Sequence, residues 1–264
     1  MKVEVILILM IIVFIIAIFM SMVGKGGGNF YILAMATVGI SMHNAASTSQ
    51  LIMVSTAVVA MLIFNKNKKV DWKLALIIDP PTDIMALLGG YLAADFSGNT
   101  MKIIFSSLLI LVSIFMFIPV KEKNFKNANR IGYLKRESGG NKYIVNLWLA
   151  IPITAIVGFF AGVIGISGGT FKIPLMVLAC GVPMEIAVGT SSAMVAVTAL
   201  MGLIGHALKG NFNSQIAIPL AIVAVLGGLI GSKFAIKSKP KNLKKIFAVV
   251  NLIAAVVMII NILN

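Results

Sequence analysis

Long apolar runs alternate along this chain with short, strongly basic stretches. The long runs are Val5–Gly24, Asn44–Phe64, Trp72–Ala94, Ile103–Val120, Tyr143–Phe171, Ile186–Leu208, Gly210–Ser232 and Ile246–Asn264. About 20 mostly apolar residues are needed to cross about 30 Å of hydrocarbon as a helix. Two shorter segments, Asn29–Ile40 and Thr170–Cys180, are set off by glycine-rich breaks. Gly26-Gly27-Gly28 and Ser41-Met42-His43 bound the first, and Ser167-Gly168-Gly169 and Gly181-Val182-Pro183 the second. A helix of about 12 residues reaches only about 18 Å, so these two do not span a bilayer and are expected to be half-helices or re-entrant pieces. Lipid tolerates no unpaired strand edge, so every segment is expected to be helical. The fold class expected is an all-α integral membrane protein, a polytopic bundle with eight long and two short helices.

The pattern repeats. Gly24, Gly27, Gly28, Phe30, Ile32 and Met35 match Gly165, Gly168, Gly169, Phe171, Ile173 and Met176 at one offset. After a one-residue shift, Gly39, Met42, Ala45, Thr48, Ser49, Thr56 and Ala57 match Gly181, Met184, Ala187, Thr190, Ser191, Thr198 and Ala199, and Gly89 matches Gly231. A tandem duplication is expected, with residues 1–120 as one transmembrane repeat, 121–142 as a basic cytoplasmic linker and 143–264 as the second repeat. Lys2 ahead of an apolar stretch has the look of a signal peptide. Because that stretch corresponds to 146–164 of the second repeat, it is read as a core element instead.

Composition closes off other classes. The chain is 59% hydrophobic and only 11% charged, too little polar sequence to cover a water-soluble core. Its net charge of +14 therefore does not indicate a nucleic-acid partner. Cys180 is the only cysteine, so no intrachain disulfide can form. Seventeen of the 22 basic residues fall in Lys66–Lys73, Lys121–Lys142 and Lys233–Lys245, and all three stretches belong on the cytoplasmic side of the cell membrane. That parity holds if each short segment completes a fifth pass of its repeat. The repeats are then inverted, with both termini outside. Inverted repeats interrupted by glycine at matching positions are a common plan of secondary transporters, in which cargo binds near the midplane and the pseudo-symmetry supplies two alternating states.

The chemistry available at the breaks suits an anion. Unpaired amides and a positive dipole end sit at a helix N-terminus, and glycine lets backbone approach a ligand closely. Gly27-Gly28-Asn29 and Gly168-Gly169-Thr170 open the short helices, with Ser167 beside the second. Ser47-Thr48-Ser49 and Thr190-Ser191-Ser192 lie in the first turns of the long helices that follow. These are the candidate substrate-binding residues; close helix packing through small residues is the competing reading. Asp79 and Asp83 share a helical face inside Trp72–Ala94, and intramembrane acids point to coupling to a proton or cation. Pro80-Pro81 should break that helix. Lys25 and Lys172 flank the glycine turns and either could attract an anion, but the reading preferred is that they snorkel to an interface; His43 and His206 are expected to be interfacial polar groups. Two histidines and one cysteine, far apart, give no metal-site spacing. No nucleotide-binding motif is present, so no organic cofactor is expected.

The stretch Gly162-Val-Ile-Gly-Ile-Ser-Gly-Gly-Thr-Phe-Lys-Ile-Pro174, followed by Gly181-Val-Pro-Met-Glu-Ile-Ala-Val-Gly-Thr-Ser-Ser192, resembles the TauE/SafE sulfite-exporter family. The first half repeats the pattern more loosely, with Ser47 in place of Gly189 and with Lys25 inside its glycine turn. The resemblance covers nearly the whole chain. It implies transport of a small sulfur-containing anion such as sulfite, sulfoacetate or a related sulfonate. The further partners expected are membrane lipid and, from Asp79 and Asp83, a coupling proton or cation, with a homo-oligomer allowed. A passive anion channel is one alternative. An intramembrane serine protease is another, because Gly165-Ile-Ser167-Gly168 and Gly202-Leu-Ile-Gly-His206 superficially match rhomboid motifs.

Overall fold

The computed structural model describes residues 3–101, 103, 104, 107, 131–138, 140–166, 168–239, 242, 243, 245, 246 and 249. Most of the long segments expected at 103–120 and 246–264 lies outside these residues. The described elements are α1 (Val3–Met22), α2 (Gly28–Thr37), α3 (Met42–Lys66), α4 (Trp72–Ile78), α5 (Pro80–Leu92), β1 (Tyr133–Ser138), β2 (Asn141–Asn146), α6 (Leu147–Ile164), α7 (Gly169–Pro174), α8 (Met184–Leu208) and α9 (Ser214–Lys237). The helices α1, α3, α6, α8 and α9 are long and apolar enough to cross a membrane.

Proline sets two of the breaks. Pro80 and Pro81 supply no N–H to the carbonyls a turn before them, so the run Trp72–Ala94 divides into α4 and α5 around Asp79. Pro174 ends α7 after six residues, and Leu175–Ala179 continue as a wide π turn. The matching position in α2 is Leu33, and α2 runs on for 10 residues as a regular helix.

Glycine contacts give the relative directions of the helices. A Cβ on Gly227 would lie 2.7 Å from the Phe14 carbonyl oxygen, and one on Gly231 2.0 Å from that of Ile18, so α1 and α9 run parallel. Gly158 meets Thr82 and Gly162 meets Ala86 in the same way, so α5 and α6 are parallel too. Gly202 covers the Gln50 amide while Gly189 faces Phe64, so α3 and α8 are antiparallel. The first helix of each half thus packs on a late helix of the other half, and the helices touch where only glycine fits. Close approach is how membrane helices associate in the absence of water.

Two buried clusters lie at opposite ends of the bundle. One gathers the C-terminal ends of α3 and α9, the start of α4, α6 and α8, and the α7 turn, through Phe64, Leu74, Ala150, Met176, Val188 and Ala235. The other gathers α2, the start of α3 and the ends of α6 and α8, through Tyr31, Ala45, Ile52, Ile164 and Ala199. Outward, Leu7, Ile11, Ile15 and Phe19 on α1 and Ile218, Ile222, Leu226, Ile230 and Phe234 on α9 form exposed stripes at four-residue spacing. Such stripes are unfavourable in water and matched by lipid.

One element departs from the expected all-helical reading. Tyr133–Ser138 and Asn141–Asn146 pair as an antiparallel hairpin, Tyr133 opposite Asn146 and Leu134 opposite Val145, with Gly140 at φ 78 in the turn. Tyr143, Ile144 and Val145 are aromatic and β-branched, which suits a strand. Tyr143 and Val145 are buried in the cluster at the ends of α3 and α9. The apolar run that begins at Tyr143 is therefore a strand up to Asn146 and a helix only after it.

Candidate functional site

The two glycine turns meet at the heart of the bundle. Gly24, at φ 67, lies under the Val188 carbonyl, and Gly165, at φ 81, lies against Ala46; each turn thus sits on the long helix of the other half. A Cβ on Gly28 would come 2.8 Å from the Ile166 Cα, and one on Gly169 3.0 Å from the Gly24 carbonyl oxygen. The turns differ locally: Gly27 caps α2 in the left-handed region, whereas its counterpart Gly168 is right-handed. Asn29, Ser47, Thr48, Ser49, Thr190, Ser191 and Ser192 are all buried. Thr170 lies in α7, and Ser167 lies outside the described residues.

The hydroxyls divide into groups. Ser49 Oγ donates to the Gly28 carbonyl at 3.2 Å and Ser191 Oγ to the Gly24 carbonyl at 2.7 Å, so both tie glycine turns to long helices. Ser47 and Ser192 donate back to Asn44 and Val188 on their own helices. Thr190 is drawn away from the turns, because its Oγ1 accepts the Asp71 N–H at 2.9 Å. Its counterpart Thr48 has a buried Oγ1 with no hydrogen-bond partner. Helix geometry leaves the Gly28, Asn29, Gly169 and Thr170 amides as the donors still available at the turns.

The sequence pattern places Lys172 at an interface. The structure instead buries it, 1% exposed, with its Nζ paired to Asp79 Oδ1 and donating to Thr198 Oγ1 at 2.8 Å. Thr198 in turn donates to Asp83 Oδ1 at 2.7 Å. The reason is electrostatic: a buried carboxylate needs a cation, and Lys172, itself buried beside Asp79, supplies it. Lys172 also curls over Gly168, where a Cβ would lie 3.4 Å from Nζ. Asp79, Asp83 and the second glycine turn are therefore one site. The half-repeat offset maps Lys172, Thr198, Asp79 and Asp83 onto Tyr31, Thr56, Ala221 and Val225, so the other half holds no charge there. A charge in each of two apolar runs was the available signal for the pair. Lys25 is buried as well, and so is His206, whose Nε2 lies 2.9 Å from the Gly162 carbonyl oxygen instead of at an interface.

A second polar hub closes the end that carries the hairpin. Asp71 caps α4 by accepting the Leu74 N–H at 3.0 Å, and Arg136 Nη2 reaches its Oδ1 at 2.6 Å. The Tyr143 hydroxyl donates to its Oδ2. Burial alone would push the Asp71 carboxyl up, but these hydrogen bonds outweigh it and hold the group below the usual carboxylate range. A depressed value means that the stabilisation is present above about pH 4 and lost as pH falls through the folded-state value. Asp71→Ala should therefore cost about 2–4 kcal/mol near neutrality. The variant and the parent should converge in strongly acidic detergent solution. Unfolding midpoints across pH check this, and a gap that persists in acid would refute the ionic assignment.

The chain is thus a polytopic α-helical membrane protein with a buried ionic site beside paired helix breaks. It matches the family described as "Sulfite exporter TauE/SafE" over residues 9–258, and it belongs to that family. It is 27% identical over 242 residues to "Probable membrane transporter protein YunE" of Bacillus subtilis, covering 87% of this chain and 88% of the relative. It is 26% identical over 247 residues to "Probable membrane transporter protein MJ0441" of Methanocaldococcus jannaschii, covering 88% and 86%. A stretch of 93 residues is 30% identical to "Sulfite exporter TauE/SafE family protein 6" of Arabidopsis thaliana, covering 35% of this chain and 22% of the relative. No solved structure matches the chain. The chain is a multi-pass membrane transporter.

Proposed function

We propose that this transporter carries a small sulfur-containing anion, such as sulfite, sulfoacetate or a related sulfonate, across the cytoplasmic membrane by alternating access. The observation that carries the reading is the crossed packing of the two glycine turns, each on the long helix of the opposite half. Equivalent helices that run antiparallel, as α3 and α8 do, are related by an axis in the membrane plane, which supports inverted repeats. Exchanging the halves would then move the opening from one face to the other. Gly27, Gly28, Asn29, Ser47, Thr48 and Ser49 form one half-site. Gly168, Gly169, Thr170, Thr190, Ser191 and Ser192, with Ser167, form the other. Membership of a family described by sulfite export supports the cargo class. Asp79 and Asp83 are the coupling acids.

Proteoliposomes loaded with sulfite, sulfoacetate, sulfate or carboxylate analogues test the cargo. Saturable counterflow of the sulfur anions is expected, and movement of carboxylates or cations alone would overturn the reading. Asp79→Asn or Asp83→Asn should weaken pH-driven uptake and leave cargo exchange intact. Unchanged gradient-driven transport in both variants would remove the coupling role.

A further inference from the structure

The buried cluster contains two carboxylates, Asp79 and Asp83, and one ammonium, Lys172, linked through the Thr198 hydroxyl. With all three ionised its net charge is −1. A monoanion arriving beside Lys172 would make it −2 in a low-dielectric interior, where uncompensated charge is costly. If one carboxylate takes up a proton as the anion arrives, the net charge stays at −1 and Lys172 exchanges a carboxylate partner for the cargo. The opposite half offers no second cation at this position, since Tyr31 stands where Lys172 would be.

We propose that Lys172 is the cargo-binding cation, and that anion binding requires one proton to be taken up by the Asp79–Asp83 pair, so that anion and proton enter the site together. This rests on the anion-transport reading above. Asp79 is the residue that holds Lys172, and Thr198 relays the hold to Asp83. Lys172 also lies over Gly168, so the cation and the second glycine turn address the same ligand. The elements packed around the pair bring few other ionisable groups. α6, packed on α5, has no titratable side chain. α8 has only Glu185 and His206, near its two ends, and α3 only His43 and Lys66, near its own. Lys25 belongs to the opposite glycine turn. Glu185 is occupied by Lys69 at 2.9 Å, and Asp71, Arg136 and Tyr143 form the separate hub at the hairpin.

The test is equilibrium binding of methanesulfonate and of acetate to the purified full chain in detergent, between about pH 6.5 and about pH 8.5, a range in which both probes stay essentially fully ionised. Methanesulfonate should bind wild type up to about tenfold tighter for each unit the pH is lowered, the limit for one linked proton. Asp79→Asn should flatten that slope and bind at the high end about as tightly as wild type does at the low end. Lys172→Arg should keep binding. Lys172→Met alone leaves a bare carboxylate buried, so the decisive variant is Lys172→Met with Asp79→Asn. It removes the buried carboxylate together with its cation and keeps only the partly exposed Asp83, which accepts from Thr198, so it should purify as a monodisperse species and should lose methanesulfonate binding at every pH. Binding by that double variant, or a flat pH profile in wild type, would overturn the proposal. If acetate binds with the Lys172 and pH dependence and methanesulfonate does not bind, the sulfur-anion reading falls and the linkage stands. If methanesulfonate binds regardless of Lys172, the cargo reading stands and this inference falls. Binding of neither probe by wild type refutes both.

Discussion

Lys172→Met should destabilise the protein by about 3–5 kcal/mol, whereas the double variant Lys172→Met with Asp79→Asn should lie much closer to wild type. The asymmetry follows from the burial of the pair, with Lys172 1% and Asp79 4% exposed. Removing the cation leaves a buried carboxylate without its ion-pair partner. Among the described residues the Thr198 and Thr82 hydroxyls remain near it, and Thr198 already donates to Asp83. Replacing both members removes the stranded charge along with the attraction, and a neutral pair of similar volume restores most of the stability. Thermal or denaturant unfolding in detergent, following tryptophan fluorescence, gives the three midpoints. If the double variant is no better than Lys172→Met, the two side chains do not act as one buried unit. Stability and transport separate in this experiment, because the rescued double variant should still carry no cargo.

The fold class was legible because lipid removes most alternatives: a chain that crosses it with about 20 apolar residues at a time does so as helices. The break at Asp79 was legible for an equally local reason, two prolines in sequence. Arg136, Tyr143 and the hairpin were not, because the strand pattern of 141–146 is short and merges into the apolar start of α6. The roles of the hydroxyls were hidden as well. Thr48 and Thr190 occupy matching positions in sequence, yet Thr190 accepts from Asp71 while Thr48 is left without a partner. That difference depends on which residue the opposite element brings, and no local pattern encodes it. Lys172 shows the same limit in sharper form. Its charge was visible, but the partner lies 93 positions away, at the α4–α5 break of the other half. Snorkelling follows from the cost of burial alone, and the carboxylate that offsets this cost comes only with the tertiary fold.

Gly165→Val should be more damaging still, to the point that little folded protein is recovered. Two costs coincide at this position. Its φ of 81 lies in the left-handed region, where a β-branched residue costs about 1–3 kcal/mol. A Cβ there would also lie 2.4 Å from the Ala46 Cα, a backbone atom of a long helix that cannot step aside. Overpacking of this kind adds about 1–3 kcal/mol where relaxation is possible, and more where it is not. Gly24→Val should behave the same way, since Gly24 sits at φ 67 and a Cβ added to it would lie 2.4 Å from the Val188 carbonyl oxygen. The two sites share this exposure because each turn is wedged against the opposite half. Gly181→Val is the informative control. It has a φ of 69 but open space around it, so it should show the conformational cost alone. Monodisperse yield and unfolding midpoint in detergent measure all three. Equal loss at Gly181 and Gly165 would mean that backbone strain, and not the contact between halves, is what these glycines relieve.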